Sequence, residues 1–219
     1  MELTESYWIY ALGFFAQALF GTRQLVQLYH AEKKGRVVSP TIFWQISLLA
    51  AFLFLVYGII RNDLVIVFGQ TISYFIYIRN LQLKNHWKEI PLLARVVLTL
   101  LPFTAIGWTL QASEDAFALF KQSDLTDPII LLGGLGQLLL NFRYLYQWLY
   151  SERVKMSVLP LGFWIISIVA SLFIVRYALY VTPTKTIDPV LLVAQSLGMI
   201  VYIRNIMIHY KSKTVTAPR

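Results

Sequence analysis

Seven apolar runs of roughly the length needed to cross a hydrocarbon core divide this chain. They are Trp8–Tyr29, Thr41–Ile60, Leu64–Leu81, Leu92–Leu110, Pro128–Tyr150, Leu159–Tyr180 and Pro189–Ile208. Only 14% of the 219 residues are charged and 58% are hydrophobic, against about 25% charged in a soluble domain. Such a chain has too little polar surface to cover itself in water. It is expected to be an all-α integral membrane protein of seven transmembrane helices. Arg61-Asn62-Asp63 is nearly all that joins the second run to the third, which makes those two helices antiparallel neighbours. The opening Met1-Glu2-Leu3-Thr4-Glu5-Ser6 carries two acids and no base. That is the wrong flank for a cleaved signal peptide, so the first helix reads as mature structure. With no cysteine in the chain, disulfides, thiolate metal sites and cysteine nucleophiles are excluded.

Basic residues crowd the cytoplasmic ends of membrane helices. Eleven fall on one side of the seven runs: Lys33, Lys34, Arg36, Lys84, Lys88, Arg95, Arg153, Lys155, Lys211, Lys213 and Arg219. The other side has Arg61, Lys121 and Lys185, and its longest loop is acidic, with Glu114, Asp115, Asp124 and Asp127. The expected orientation is amino terminus outside, carboxyl terminus cytoplasmic. The net charge of +8 is then a topology signal, and no nucleic-acid partner is expected.

The chain also repeats itself. Gln17, Arg23, Gln27, Glu32, Pro40, Phe43, Trp44, Ser47 and Tyr57 recur 120 positions on, as Gln137, Arg143, Gln147, Glu152, Pro160, Phe163, Trp164, Ser167 and Tyr177. After a longer loop around Pro183 the offset becomes 125: Asp63, Gln70, Tyr77, Arg79 and Asn80 return as Asp188, Gln195, Tyr202, Arg204 and Asn205. Leucine-rich helices resemble one another, but that does not produce matched Gln, Arg and Asn at a fixed offset. The division read from this is 1–90 as a first three-helix repeat, 91–127 as a linker helix with Pro102 and an outer loop, and 128–219 as the second repeat. A single unmatched helix between two three-helix units makes them parallel, related by an axis along the membrane normal, as in some transporters.

The quoted residues, with Ser39-Pro40, Gly69-Gln70, Tyr77-Ile78-Arg79-Asn80-Leu81, Ser151-Glu152 and Tyr202-Ile203-Arg204-Asn205, resemble the lipid A biosynthesis N-terminal domain, present here as two tandem copies. That module stands at the front of some lipid-A-disaccharide synthases, and it is similar in turn to the PQ-loop and SWEET transporter group. Val26 and Tyr146 stand before Gln27 and Gln147, so the proline of the PQ motif is missing; architecture carries over better than a sugar substrate does. The resemblance implies the inner membrane of a Gram-negative bacterium, with membrane lipids, a lipid-linked sugar or sugar phosphate, and a glycosyltransferase or acyltransferase as partners. No loop is large enough for a nucleotide-sugar-binding domain, so synthase activity is not expected of this polypeptide alone, and no cofactor is implied.

Ionisable groups within a span are candidates for function. Arg23 and Gln27, like Arg143 and Gln147, are four apart and share a helix face. Gln17 lies six residues before Arg23, about 9 Å along the axis. On the third and seventh helices Gln70, Tyr77 and Asn80 match Gln195, Tyr202 and Asn205. With Gln137, the counterpart of Gln17, these make twelve residues, the candidate ligand-binding set. No Asp or Glu lies deep in a span; Asp63 and Asp188 mark one edge, Glu32 and Glu152 the other. Guanidinium groups there suit an anionic ligand such as a phosphorylated lipid-linked sugar, because the fork engages two oxygens. The alternatives are that Arg23 and Arg143 snorkel or bond to Gln across helices, and that the amides are interhelical glue. Arg79 and Arg204 read as interface anchors, and Trp44 and Trp164 as members of an aromatic belt. Gly133-Gly134-Leu135-Gly136 reads as close helix packing, and His30, His86 and His209 lack metal-ligand spacing. No catalytic residue and no metal site emerge. Transport or flipping of an anionic saccharide lipid ranks ahead of a docking module for a glycolipid enzyme, and a membrane enzyme ranks last.

Overall fold

The computed structural model describes residues 2–61, 64–112, 128–180, 187 and 189–216. Asp63, Asp188, Glu114, Asp115, Lys121, Asp124, Asp127, Pro183, Lys185 and Arg219 lie outside the described residues. Among those described there are seven α-helices and no strand: α1 Glu2–Lys34, α2 Thr41–Ile60, α3 Leu64–Leu83, α4 Leu92–Ala112, α5 Pro128–Val154, α6 Leu161–Ala178 and α7 Pro189–Thr216. Four are long and apolar enough to cross a membrane: α2, α4 over Leu92–Gln111, α6, and α7 over Leu191–Ser212.

The ends of the helices follow local chemistry. Pro40 and Pro160 stand as extended N-caps of α2 and α6, with the Phe43 and Phe163 amides returning to their carbonyls at 3.1 and 3.0 Å. α1 runs beyond its apolar stretch until Gly35, at φ 62°, stops it; glycine meets no Cβ clash there. The equivalent residue, 120 positions on, is Lys155, and it takes the same left-handed turn at φ 54°, a conformation that disfavours a side chain. α3 stops before Asn85, also left-handed at φ 63°. Its equivalent, 125 positions on, is Tyr210, and α7 runs on to Thr216.

The chain forms two compact units. The first holds Met1–Val26, Pro40–Gln122 and Val154–Ser157; the second holds Gln27–Ser39, Ser123–Arg153 and Val158–Arg219. The units therefore cut across the sequence repeats at the α1–α2 and α5–α6 connections. In the first unit α2 packs along α3, and α4 packs on both. In the second unit α6 packs along α7. Each unit has the same close approach: a Cβ on Gly13 would lie 2.9 Å from Tyr57, and one on Gly133 would lie 2.6 Å from Tyr177. Gly136 meets the Ala170 carbonyl in the same way, whereas nothing lies near Gly134. Helix packing is thus the role of Gly133 and Gly136. The ring of Tyr146, one of the two residues that replace the PQ-motif proline, occupies the space a Cβ on Gly162 would need.

Candidate functional site: twin arginine cages

Each unit closes around one buried guanidinium. In the first, Arg23 is 4% exposed and its Nη1 donates to the Tyr77 hydroxyl at 2.9 Å. Its Cζ lies 4.6, 5.6 and 5.3 Å from the ring centres of Phe20, Phe43 and Tyr77. In the second, Arg143 is 5% exposed and Nη1 donates to the Tyr202 hydroxyl and to Ser167 Oγ, both at 2.9 Å. The rings of Tyr144, Phe163 and Tyr202 lie 5.0, 5.1 and 5.3 Å away. A cation over aromatic faces gains about 0.5–2 kcal/mol, most where water is excluded. These contacts offset part of the desolvation cost of a buried guanidinium.

Trp44 and Trp164 support the cages. Each stacks tilted on the cage tyrosine, at 6.0 and 6.1 Å, and packs edge-on against the preceding phenylalanine at 4.7 and 4.9 Å. Trp44 is 0% and Trp164 2% exposed. This corrects the aromatic-belt expectation: a belt residue faces the membrane interface, and these indoles face inward because Pro–x–x–Phe–Trp places both rings at the first turn of the helix, toward the arginine. Ser47 and Ser167 return to the Phe43 and Phe163 carbonyls at 2.6 Å.

Gln27 and Asn205, 178 positions apart, form a reciprocal amide pair at 2.8 and 3.0 Å within the second unit. Gln27 Nε2 also donates to the Val38 carbonyl at 3.2 Å, and Asn205 Nδ2 to Val201. Gln147 repeats the reach across eleven residues, donating to Val158 and to Ser151 Oγ, both at 2.8 Å. In the first unit Asn80 donates to Ile76 and accepts from Ser157 Oγ at 2.7 Å. All four amide residues are 0% exposed. The glue reading describes these contacts: the glutamines hold the connections that lead into α2 and α6, and the asparagines meet those connections or the helix entering one.

Gln17 and Gln137 are exposed, which corrects the expectation of one polar track along α1 and along α5. Six residues advance a helix by about 600°, so Gln17 stands roughly 240° from Arg23. Height along the axis is shared; the face is not. Gln195 accepts from Ser171 Oγ at 2.8 Å. Its counterpart Gln70 has Ala51 where Ser171 stands, and its Oε1 is buried with no hydrogen-bond partner among the described residues. Tyr74, one turn on, is fully buried with its hydroxyl likewise unpartnered.

Glu32 and Glu152, the carboxylates at one set of helix ends, bond to other side chains. Glu32 is clasped by Arg204, whose Nε and Nη2 donate to its two oxygens, the latter at 3.0 Å. Glu152 accepts from Trp148 Nε1 at 3.1 Å. The Arg204 side-chain hydrogen bond, then its charge, holds the Glu32 carboxyl below the usual range. Arg79 donates to Gln82 at 3.1 Å. Sequence alone carried no signal for the Glu32–Arg204 pair, 172 residues apart. Phe43, Phe163 and Ser167 were visible as repeat matches but not as arginine contacts, and Phe20 and Tyr144, whose counterparts are Leu140 and Gln24, carried no repeat signal. Among the described residues no three His, Asp or Glu side chains gather as a metal site requires.

Comparison with known proteins agrees with the duplicated geometry. The chain is 29% identical over 218 residues to a lipid-A-disaccharide synthase of Chlamydia pneumoniae, covering 96% of this chain and 35% of that protein. It is 30% identical over 185 residues to the Chlamydia muridarum protein of the same name, covering 78% and 30%. It thus spans about a third of the length of these curated relatives. No solved structure matches. A single family description fits twice, over residues 12–82 and again over 132–207, so each cage lies within one match, and the chain belongs to the Lipid A Biosynthesis N-terminal domain family.

Proposed function

We propose that the chain is a membrane module that holds an acylated sugar phosphate for an enzyme of lipid A biosynthesis, rather than a carrier that moves it. One observation supports this reading above the others: Arg23 and Arg143 are enclosed in separate cages, each bound to a tyrosine of its own unit. A carrier must expose its ligand groups alternately to either side. Here the same polar residues join helices and brace connections, which suits a rigid platform. The name of the relatives, lipid-A-disaccharide synthase, supplies the enzyme class served. In this reading all seven helices cross the bacterial inner membrane with the amino terminus outside, in the three-plus-one-plus-three arrangement of the PQ-loop group.

Transport is the second reading, favoured by the buried, unpartnered Gln70 Oε1 and Tyr74 hydroxyl, which suit a sugar hydroxyl that donates to one and accepts from the other. Proteoliposomes loaded with a fluorescent acylated glucosamine phosphate separate the two. The module reading expects binding without translocation, and an Arg23→Gln/Arg143→Gln double variant that loses thermal stability before it loses binding. Translocation by the native chain that disappears in a folded double variant would reject the module in favour of the carrier.

A further inference from the structure

One cluster of charge in the second unit takes no part in the cages or braces. α1 ends at Lys34, and the left-handed Gly35 turns the chain. Arg204, Met207 and Lys211 succeed one another at three and four residues, on one face of α7. With Glu32, Lys34 and Arg36 they line a groove of about 600 Å³. Glu32 neutralises Arg204 and fixes one wall. Lys34 and Arg36 have no hydrogen-bond or ion-pair partner among the described residues. The groove therefore holds four cations against one carboxylate, with the exposed thioether stem of Met207 among them.

We propose that this groove binds the phosphate headgroup of an anionic lipid, with Lys34, Arg36 and Lys211 on the phosphate oxygens and Met207 along the apolar stem. A topology signal acts through the number of bases near a helix end; it does not require residues about 170 positions apart to converge on one carboxylate. Nor is the cluster a general feature of the repeat. The positions equivalent to Lys34 and Arg36 are Val154 and Met156, and that of Lys211 is His86. The extension of α7 past the point where Asn85 halts α3 is what brings Lys211 to the groove. Arginine adds a planar fork suited to phosphate.

The inference rests on the membrane placement proposed above and holds whether the chain presents or moves its ligand. The test reconstitutes the full chain into phosphatidylcholine vesicles carrying trace spin-labelled phosphatidic acid or spin-labelled phosphatidylcholine, and compares the motionally restricted fractions. The native chain is expected to prefer phosphatidic acid. Lys34→Gln/Arg36→Gln/Lys211→Gln should cut that preference by on the order of tenfold to a hundredfold, while Lys33→Gln/Arg153→Gln, outside the groove, leaves it intact. A triple variant with native helicity and unchanged preference overturns the site, as does an equal loss in the control. Complete displacement by inorganic phosphate overturns the lipid as ligand. A chain that does not float with the vesicles overturns the membrane placement instead.

Discussion

The two repeats share most of their interior chemistry, although the third cage ring comes from Phe20 in one and Tyr144 in the other, and they diverge further at their ends. Arg23–Tyr77 and Arg143–Tyr202 are both 2.9 Å, and the Trp–Tyr ring separations differ by a tenth of an ångström. At the helix ends Lys34 faces Val154 in the alignment, Arg36 faces Met156, and Asn85 faces Tyr210. A buried cation in an aromatic cage tolerates few exchanges, because each ring supplies both volume and a negative face. A helix end in contact with water or headgroups has no such neighbours, so the ends of α1 and α7, from different copies, could together form a basic groove in one unit without disturbing a core. The duplication supplied two scaffolds, and divergence at their ends supplied the difference between them.

The largest effect that could break this comparison comes from the indoles. Trp44→Ala and Trp164→Ala are each expected to cost about 3–5 kcal/mol, the usual range for a buried tryptophan, measured by unfolding in detergent micelles. A near-zero cost for one would mean that the two cages do not carry equal weight. The next test exploits an interior difference. Ala51→Ser would give Gln70 Oε1 the donor that Ser171 gives Gln195, stabilising the chain by roughly 0.5–1.5 kcal/mol, and Ser171→Ala should cost a similar amount. If Ala51→Ser were destabilising, the α2–α3 and α6–α7 packings would differ at this level.

The smallest effect lies at the Glu32–Arg204 pair, which is solvent-exposed and therefore weak. Pairing lowers the carboxyl's pKa below its ordinary value of 4.5. The folded state is then favoured above that value, and the contribution disappears as pH falls through the depressed folded value. Glu32→Gln should lower stability slightly at neutral pH, leave the most acidic end of the stability–pH curve nearly unchanged, and so flatten the acid limb between them. An identical acid limb in native and variant protein would show that the pair does not persist in solution.

Much of this protein was readable from its residues alone. Charge poverty and apolar runs set the helical class, and offsets of 120 and 125 residues exposed the duplication, because both are properties of one-dimensional order. The proline starts of α2 and α6 and the glycine packing at Gly133 were equally local. Tertiary structure decided the rest. Whether Arg23 faced a cavity or a ring of aromatics depended on Phe20, Phe43 and Tyr77 arriving from three helices. Gln27 found Asn205, and Glu32 found Arg204, only because helices remote in sequence pack together. Spacing tells which side chains share a face of one helix; it contains no term for what the neighbouring helix presents to that face. For a buried polar group, that neighbour determines whether it is architecture or a ligand site.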